Sequence, residues 1–249
     1  MSGILTQRLK AEGIEILTDH DLKSFNGAHT ANIQNRTTEE MKTIDFDVAL
    51  MAIGRGLNHK SLEVQNAGIE ETDRGRIVIN DYLQTSQDHI YVVGDAAGMY
   101  QFSHGAEKHV KLLTHNFDSF IKRKHHVKDL SWVTFTEPEV ASFGLTEAYL
   151  QENNIKYWRQ DQAFDHDDRA ITSDYDYGKM TLFVTTDKIK SRRKILGGSI
   201  IAPTAGEIMQ ELHLACVADI CLNDFMQKVY AYPTASRINQ QTIMGIIGN

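Results

Sequence analysis

Apolar positions along the chain follow two different patterns. In the first half, short apolar runs end in glycine. Residues 47–53 (Asp-Val-Ala-Leu-Met-Ala-Ile) are almost continuously apolar and stop at Gly54, which predicts a strand buried on both faces, as in α/β architecture. Residues 77–79 and 89–93 predict two further strands, the second ending abruptly at Gly94-Asp95. Residues 4–11 have helical spacing with a stop near Gly13, residues 14–17 read as a short strand, and β-prone pieces lie at 30–34 and 41–44. A helix is predicted over 105–121. Beyond Leu130 the pattern changes. Short β pieces at 132–135, 179–185 and 194–201 are interleaved with helices at 146–153 and 205–222. Helices set apart from a small, mostly antiparallel sheet describe an α+β domain, so a boundary is expected near residues 122–130.

The first half holds too little for its class. It opens with one helix and one strand of a βαβ unit, without the strand that should precede them, and a doubly wound domain needs several parallel strands. The expectation is that a preceding segment has been removed, the other option being a partner that covers an exposed sheet edge.

Composition narrows the function. The chain has 249 residues, 24% of them charged, with a formal net charge of −7. That balance disfavours nucleic acid as a partner, since such proteins present a basic face. The single basic run, Lys122-Arg123-Lys124-His125-His126, follows a helical stretch and reads as a solvated helix end. Two cysteines do not make a secreted disulfide framework. No N-terminal signal pattern and no apolar run near 18 residues occurs, so no membrane partner is expected and the default location is cytoplasmic.

The chemistry concentrates at residues 85–98, where a strand ends in Gly94-Asp95. Ligands of α/β sheets sit beyond the carboxyl ends of strands. A glycine there lets the backbone approach closely, and an aspartate can accept hydrogen bonds from sugar-like hydroxyls. Taken alone, the segment is also an ordinary strand followed by a Gly-Asp turn. Upstream, a second apolar run ends in Gly54-Arg55-Gly56-Leu57-Asn58. Downstream lie Phe135-Thr136-Glu137-Pro138-Glu139, then Leu196-Gly197-Gly198-Ser199, then Ala205-Gly206-Glu207.

Taken in this order, these segments resemble the class I pyridine nucleotide–disulfide oxidoreductases, the family of dihydrolipoamide dehydrogenase, glutathione reductase and mercuric reductase. The resemblance spans essentially the whole chain, with Leu57 where the family has proline. It implies an α/β remnant of the FAD- and NAD(P)-binding domains followed by an α+β dimerisation domain. Residues 1–53 would close the NAD(P) domain, 54–125 would close the FAD domain, and 126–249 would form the homodimer interface. It further implies that Gly94 and Asp95 meet the ribityl chain of FAD, and that the backbone at Ser103 and His104 lies against the flavin. Asp168-Arg169-Ala170 and the C-terminal Tyr-Pro-Thr look most like mercuric-reductase-like members.

Other family features are absent from these residues. No G-x-G-x-x-G occurs; the family's two fingerprints and its redox C-x-x-x-x-C lie earlier in its sequences. Cys216 and Cys221 have the redox spacing, but five residues apart on one helix is about 140° round the axis and roughly 7.5 Å along it, beyond disulfide reach. They read as small buried hydrophobes.

The family's C-terminal H-x-H-P-T-x-x-E corresponds to residues 230–237, with Tyr232 at the position of the basic histidine and Arg237 at that of the glutamate. Tyrosine, with a pKa near 10, is a poor base at neutral pH. Tyr232 therefore serves a different electron acceptor or packs at the dimer interface. No metal site is expected. Residues 165–168 read as a solvated acidic loop, and His109, His115 and His213 as core or surface residues.

The preferred function is thus a fragment of an FAD-dependent NAD(P)H oxidoreductase acting on a disulfide or metal ion, inactive alone. The alternative is a stand-alone dimerising or interaction protein.

Overall fold

The computed structural model describes residues 1–248, which divide into two compact units, Thr6–Gly56 and, with Met1–Leu5, Leu57–Asn249. A helix, α1 (Ser2–Ala11), leads into the smaller unit. There β1 (His20–Phe25), β2 (Thr30–Asn35) and β3 (Met41–Asp45) form an antiparallel meander in that order. Register runs from Thr30 opposite Asp45 to Gln34 opposite Met41. Ala31 and Ile33 turn inward from the central strand, as period-two alternation requires.

Four strand expectations fail in the first half. Residues 14–17 and 47–53 form no strand, and Val48, Leu50 and Ile53 stand 86, 89 and 85% exposed. An apolar run becomes a central strand only where neighbours hydrogen-bond to it and layers cover both faces, and no strand pairs with this one among the described residues. The pieces at 77–79 and 89–93 are reduced to single bridges, Glu71 to Ile77 and Gln84 to Tyr91. The segment ahead of the next helix is instead built from 3₁₀ turns and side-chain bonds, such as the His59–Glu71 pair at 2.5 Å. It leads into α2 (Ser103–Asp118), close to the expected helix.

The later region follows the sequence closely. Strands β4 (Ser131–Thr134) and β5 (Glu139–Gly144) precede α3 (Glu147–Glu152), β6 (Trp158–Ala163), α4 (Asp168–Thr172), β7 (Lys179–Val184) and β8 (Ile195–Ala202). The five strands make one antiparallel sheet ordered β4-β5-β8-β7-β6. Interior strand β7 is buried from Met180 to Val184, which is why it reads as a nearly continuous apolar run. Thr146 caps α3, accepting from the Tyr149 amide at 3.2 Å.

The predicted single helix over 205–222 is three: α5 (Ala205–Ile208), α6 (Gln210–Val217) and α7 (Leu222–Met226). Asp219 at φ 55° breaks the path between the last two, since a left-handed residue cannot continue a right-handed helix. The final helix, α8 (Arg237–Gly248), packs along β6. Phe143, Leu182, Ile200, Leu212 and Ile243 form part of the common core of sheet and helices. Among the described residues, no helix is long and apolar enough to cross a membrane.

Candidate functional site

The Gly94–Asp95 turn is set by glycine and held by a histidine. Gly94 is buried at φ 65°, and residues Gly94–Ala97 form one 3₁₀ turn. This backbone conformation costs a residue with a Cβ roughly 1–2 kcal/mol. The Gly94 amide donates to His109 Nδ1 at 3.0 Å. His109 lies two turns into α2 and is fully buried, so the bond fixes the turn against the helix. Accepting at Nδ1 places the imidazole proton on Nε2. Burial and the neighbouring Lys108 both push the His109 pKa down, which keeps the acceptor neutral.

The start of α2 supplies donors. Phe102, at its N-cap, offers no side-chain acceptor, and its carbonyl takes both the Gly105 and Ala106 amides at 3.0 and 3.2 Å. The Ser103 and His104 amides are left outside the helix's own hydrogen bonds, at the positive end of its dipole. Both residues are exposed, as is Asp95. The His104 ring stacks on Phe102 at 5.2 Å and donates from Nε2 to the Ser131 carbonyl at 2.7 Å. Gly94 and Asp95 thus sit on a turn packed against the helix that begins with Ser103 and His104. The arrangement offers a carboxylate for hydroxyls and two amides for an electron-rich carbonyl edge.

Behind the turn lies a polar cluster that sequence reading missed. The His109 and His125 rings approach to 5.5 Å, and Tyr100 stands 5.4 Å from His125. Burial, then Lys108 and His109, push the His125 pKa down to about 4. Burial, then Asp129, push Tyr100 up to about 12. A free imidazole titrates near 6.5, so between about pH 6.5 and 4 the unfolded chain binds a proton that the folded chain excludes. Stability present above pH 6.5 is lost as pH falls through that window. The urea midpoint is expected to drop between pH 7 and pH 5, and less so in His125→Gln. An equal drop in both proteins would remove His125 as the cause.

Tyr232 belongs to a second constellation. The segment carrying it is anchored by Glu211 on α6, which accepts from Tyr230 Oη at 2.7 Å and Asn239 Nδ2 at 2.7 Å, and pairs with Lys228. Tyr232 itself is 66% exposed. Its hydroxyl donates to Asp168 Oδ2 at 3.0 Å, and the Arg237 guanidinium lies over its ring at 5.1 Å and 3.7 Å from the same carboxylate oxygen. The hydrogen bond to Asp168 pushes the phenol pKa up. Tyr232 is therefore a donor held by a carboxylate, and Arg237 neutralises that carboxylate.

The acidic loop at 165–168 is not uniformly solvated, in contrast to the sequence expectation. Asp167 is buried because it caps α4, accepting from the Ala170 amide at 2.9 Å, and takes Gln241 Nε2 at 3.2 Å. No group of three potential metal ligands forms among the described residues. Cys216 and Cys221 do not share a helix, as the sequence suggested. Cys221 stands at the N-cap position of α7, after the break at Asp219, without a side-chain capping bond, and both thiols are free. Burial pushes Cys216 up to about 12, which makes it a poor nucleophile.

Comparison with known proteins finds relatives for both parts of the chain. The family model for pyridine nucleotide-disulphide oxidoreductases matches residues 1–111, and the model for their dimerisation domain matches 130–242. The chain is 33% identical over 200 residues to dihydrolipoyl dehydrogenase of Buchnera aphidicola, covering 78% of this chain and 40% of that protein. It is 29% identical to dihydrolipoyl dehydrogenase of Chlamydia pneumoniae, covering 96% and 50%. It is 27% identical to mercuric reductase of Staphylococcus aureus, covering 94% and 42%. The fold matches LpdA of Mycobacterium tuberculosis with a TM-score of 0.83 at 18% identity, over 97% of this chain and 51% of that one. The chain therefore spans about half the length of the relatives it matches. With two family models in sequence order over 1–111 and 130–242, the chain belongs to the pyridine nucleotide-disulphide oxidoreductase family.

Proposed function

We propose that this chain is the closing half of an FAD-dependent reductase that passes electrons from NAD(P)H through FAD to a disulfide or metal-ion acceptor. In this reading residues 1–53 close the NAD(P) domain, 54–125 close the FAD domain, and 126–249 join two copies in a homodimer working in the cytoplasm. The observation that carries it is the Gly94–Asp95 turn, locked by His109 beside the uncapped start of α2, inside a segment matched by the family model.

These residues fit a flavin. Asp95 would accept from ribityl hydroxyls, and the Ser103 and His104 amides would donate to the isoalloxazine edge, where the helix dipole favours negative charge. When bound, FAD takes up two electrons as a hydride from NAD(P)H and hands them on. The chain's own residues bind and orient; they contain no dinucleotide fingerprint and no redox dithiol, so the 249 residues alone are expected to oxidise no NAD(P)H.

Tyr232 sets the choice of acceptor. A lipoamide-reducing site needs a base at this position, and a phenol that donates to Asp168 cannot take a proton at neutral pH. Assembled with its dinucleotide-binding half, the reductase is expected to turn over lipoamide at least a hundredfold more slowly than a lipoamide dehydrogenase, and Tyr232→His with Arg237→Glu is expected to raise that rate. Lipoamide turnover at the level of a true lipoamide dehydrogenase would refute this reading of Tyr232.

A further inference from the structure

The basic run at residues 122–126, exposed except at half-buried His125, lies beyond the end of α2 and is folded back on it. Past Asp118 the chain doubles back along α2. The Asn116 side chain holds the return, donating to the Arg123 carbonyl at 2.9 Å and accepting the Arg123 amide at 2.7 Å. Lys122 Nζ donates to the Asn116 carbonyl and Lys108 Nζ to the His126 carbonyl. The His125 amide donates to the Asp81 carbonyl at 2.8 Å. Side chains that would otherwise point apart are thereby gathered on one concave wall.

That wall lines an open cleft of about 470 Å³, within the range of small-ligand sites. Its charged lining is Lys108, Lys111, Lys122, Arg123 and Lys124, against the single carboxylate of Asp129. Five cations against Asp129 in the lining and Asp81 beside Lys124 leave a formal +3 at one place in a chain of net −7. Lys108 and Lys124 have carboxylate partners, Asp129 at 3.5 Å and Asp81 at 3.2 Å. The Lys111 ammonium and the Arg123 guanidinium make no ion pair or side-chain hydrogen bond among the described residues. His125 also lines the cleft, and its Nε2 is buried without a partner.

Like charges held together raise one another's energy, and a concave wall concentrates their field. An anion with several oxygens relieves both. Arginine's planar fork takes two such oxygens at once, and lysines add point charges around it.

We propose that this cleft is an anion site for a small phosphorylated molecule, with Arg123 and Lys111 as its principal binding groups and a diphosphate as the chemistry recognised. It is formed by α2 from Lys108 onward, the returning chain and Asp129, and its lining includes none of Gly94, Asp95, Ser103 and His104.

Isothermal titration of the 249-residue chain with sodium pyrophosphate, and separately with ADP, tests this at an ionic strength held constant with NaCl. One saturable pyrophosphate site is expected, weakened at least tenfold in Lys111→Gln/Arg123→Gln and unchanged in the remote Lys156→Gln. ADP binding more tightly than pyrophosphate places the diphosphate on a nucleotide; ADP binding more weakly makes the ligand a free diphosphate; either supports the site. Pyrophosphate heats no larger than those of sulfate at the same ionic strength overturn the proposal. So does equal affinity in the double variant when its tryptophan fluorescence shows native folding.

Discussion

Gly197→Ala is expected to destabilise the five-stranded sheet by about 3 kcal/mol, the upper part of the range for overpacked sites. A Cβ at Gly197 would lie 2.3 Å from the Leu145 carbonyl oxygen, 2.6 Å from its amide nitrogen and 2.8 Å from the Phe143 carbonyl oxygen. All three are backbone atoms, so no rotamer change can make room. Strand β8 must move away from β5, where Gly197 faces Gly144 and Gly198 faces Phe143 in the ladder. The loss corresponds to about 6–12 °C in melting temperature for a protein of this size. Both tryptophans, Trp132 on β4 and Trp158 on β6, lie in this sheet, so their fluorescence in a urea titration reports on it directly. Gly56→Ala, where an added Cβ meets nothing within 4 Å, should shift the midpoint by less than about 0.5 kcal/mol. A Gly197→Ala midpoint equal to that control would mean that the strands separate at little cost.

The second large effect belongs to the proposed flavin site. Asp95→Ala in the assembled reductase is expected to weaken FAD binding by about tenfold to a hundredfold, since hydrogen bonds to a charged group contribute about 1.5–3 kcal/mol. The exposed Asp88, whose carboxylate pairs with His89 at 3.5 Å and with no other side chain among the described residues, serves as the control, and Asp88→Ala should leave affinity unchanged. Flavin fluorescence on dilution measures both. Equal FAD retention by the two variants would show that Asp95 makes no bond to the cofactor. His109→Leu should reproduce part of the Asp95 effect without touching flavin, because the Gly94 amide would lose its acceptor and the turn its anchor.

The sequence carried the fold well at α1, β2, β3 and α2 and in much of the region beyond Leu130, and poorly at residues 14–17 and 47–93, for one physical reason. Strands β7 and β8 and helix α2 fell within a few residues of expectation because each is specified by neighbours that are present: β7 reads as apolar on both faces and lies between β8 and β6. The run at 47–53 carries the same signal, yet finds no strand to pair with among the described residues. Hydrophobicity states what a segment needs and not whether the chain provides it. The breaks within residues 205–222 were hidden because an apolar stretch keeps its composition across an interruption such as Asp219. The site residues Gly94, Asp95, Ser103 and His104 were named through a family resemblance, whereas the bond that joins their elements was not. His109 meets Gly94 from 15 residues away, and no periodicity points to such a contact. The basic run is exposed at Lys122, Arg123, Lys124 and His126, as expected of a solvated segment, but its fold-back was not legible, since it depends on bonds from Asn116, Lys122, Lys108 and His125 that no periodicity announces.

The central claim is that these 249 residues work as the closing half of a flavin-linked reductase, and the coding DNA immediately upstream of the Met1 codon tests it most directly. The account predicts an open frame in phase with Met1 that encodes two G-x-G-x-x-G motifs and an early C-x-x-x-x-C. A stop codon close upstream, with no such frame, would contradict it and leave a dimerising protein with no redox chemistry of its own.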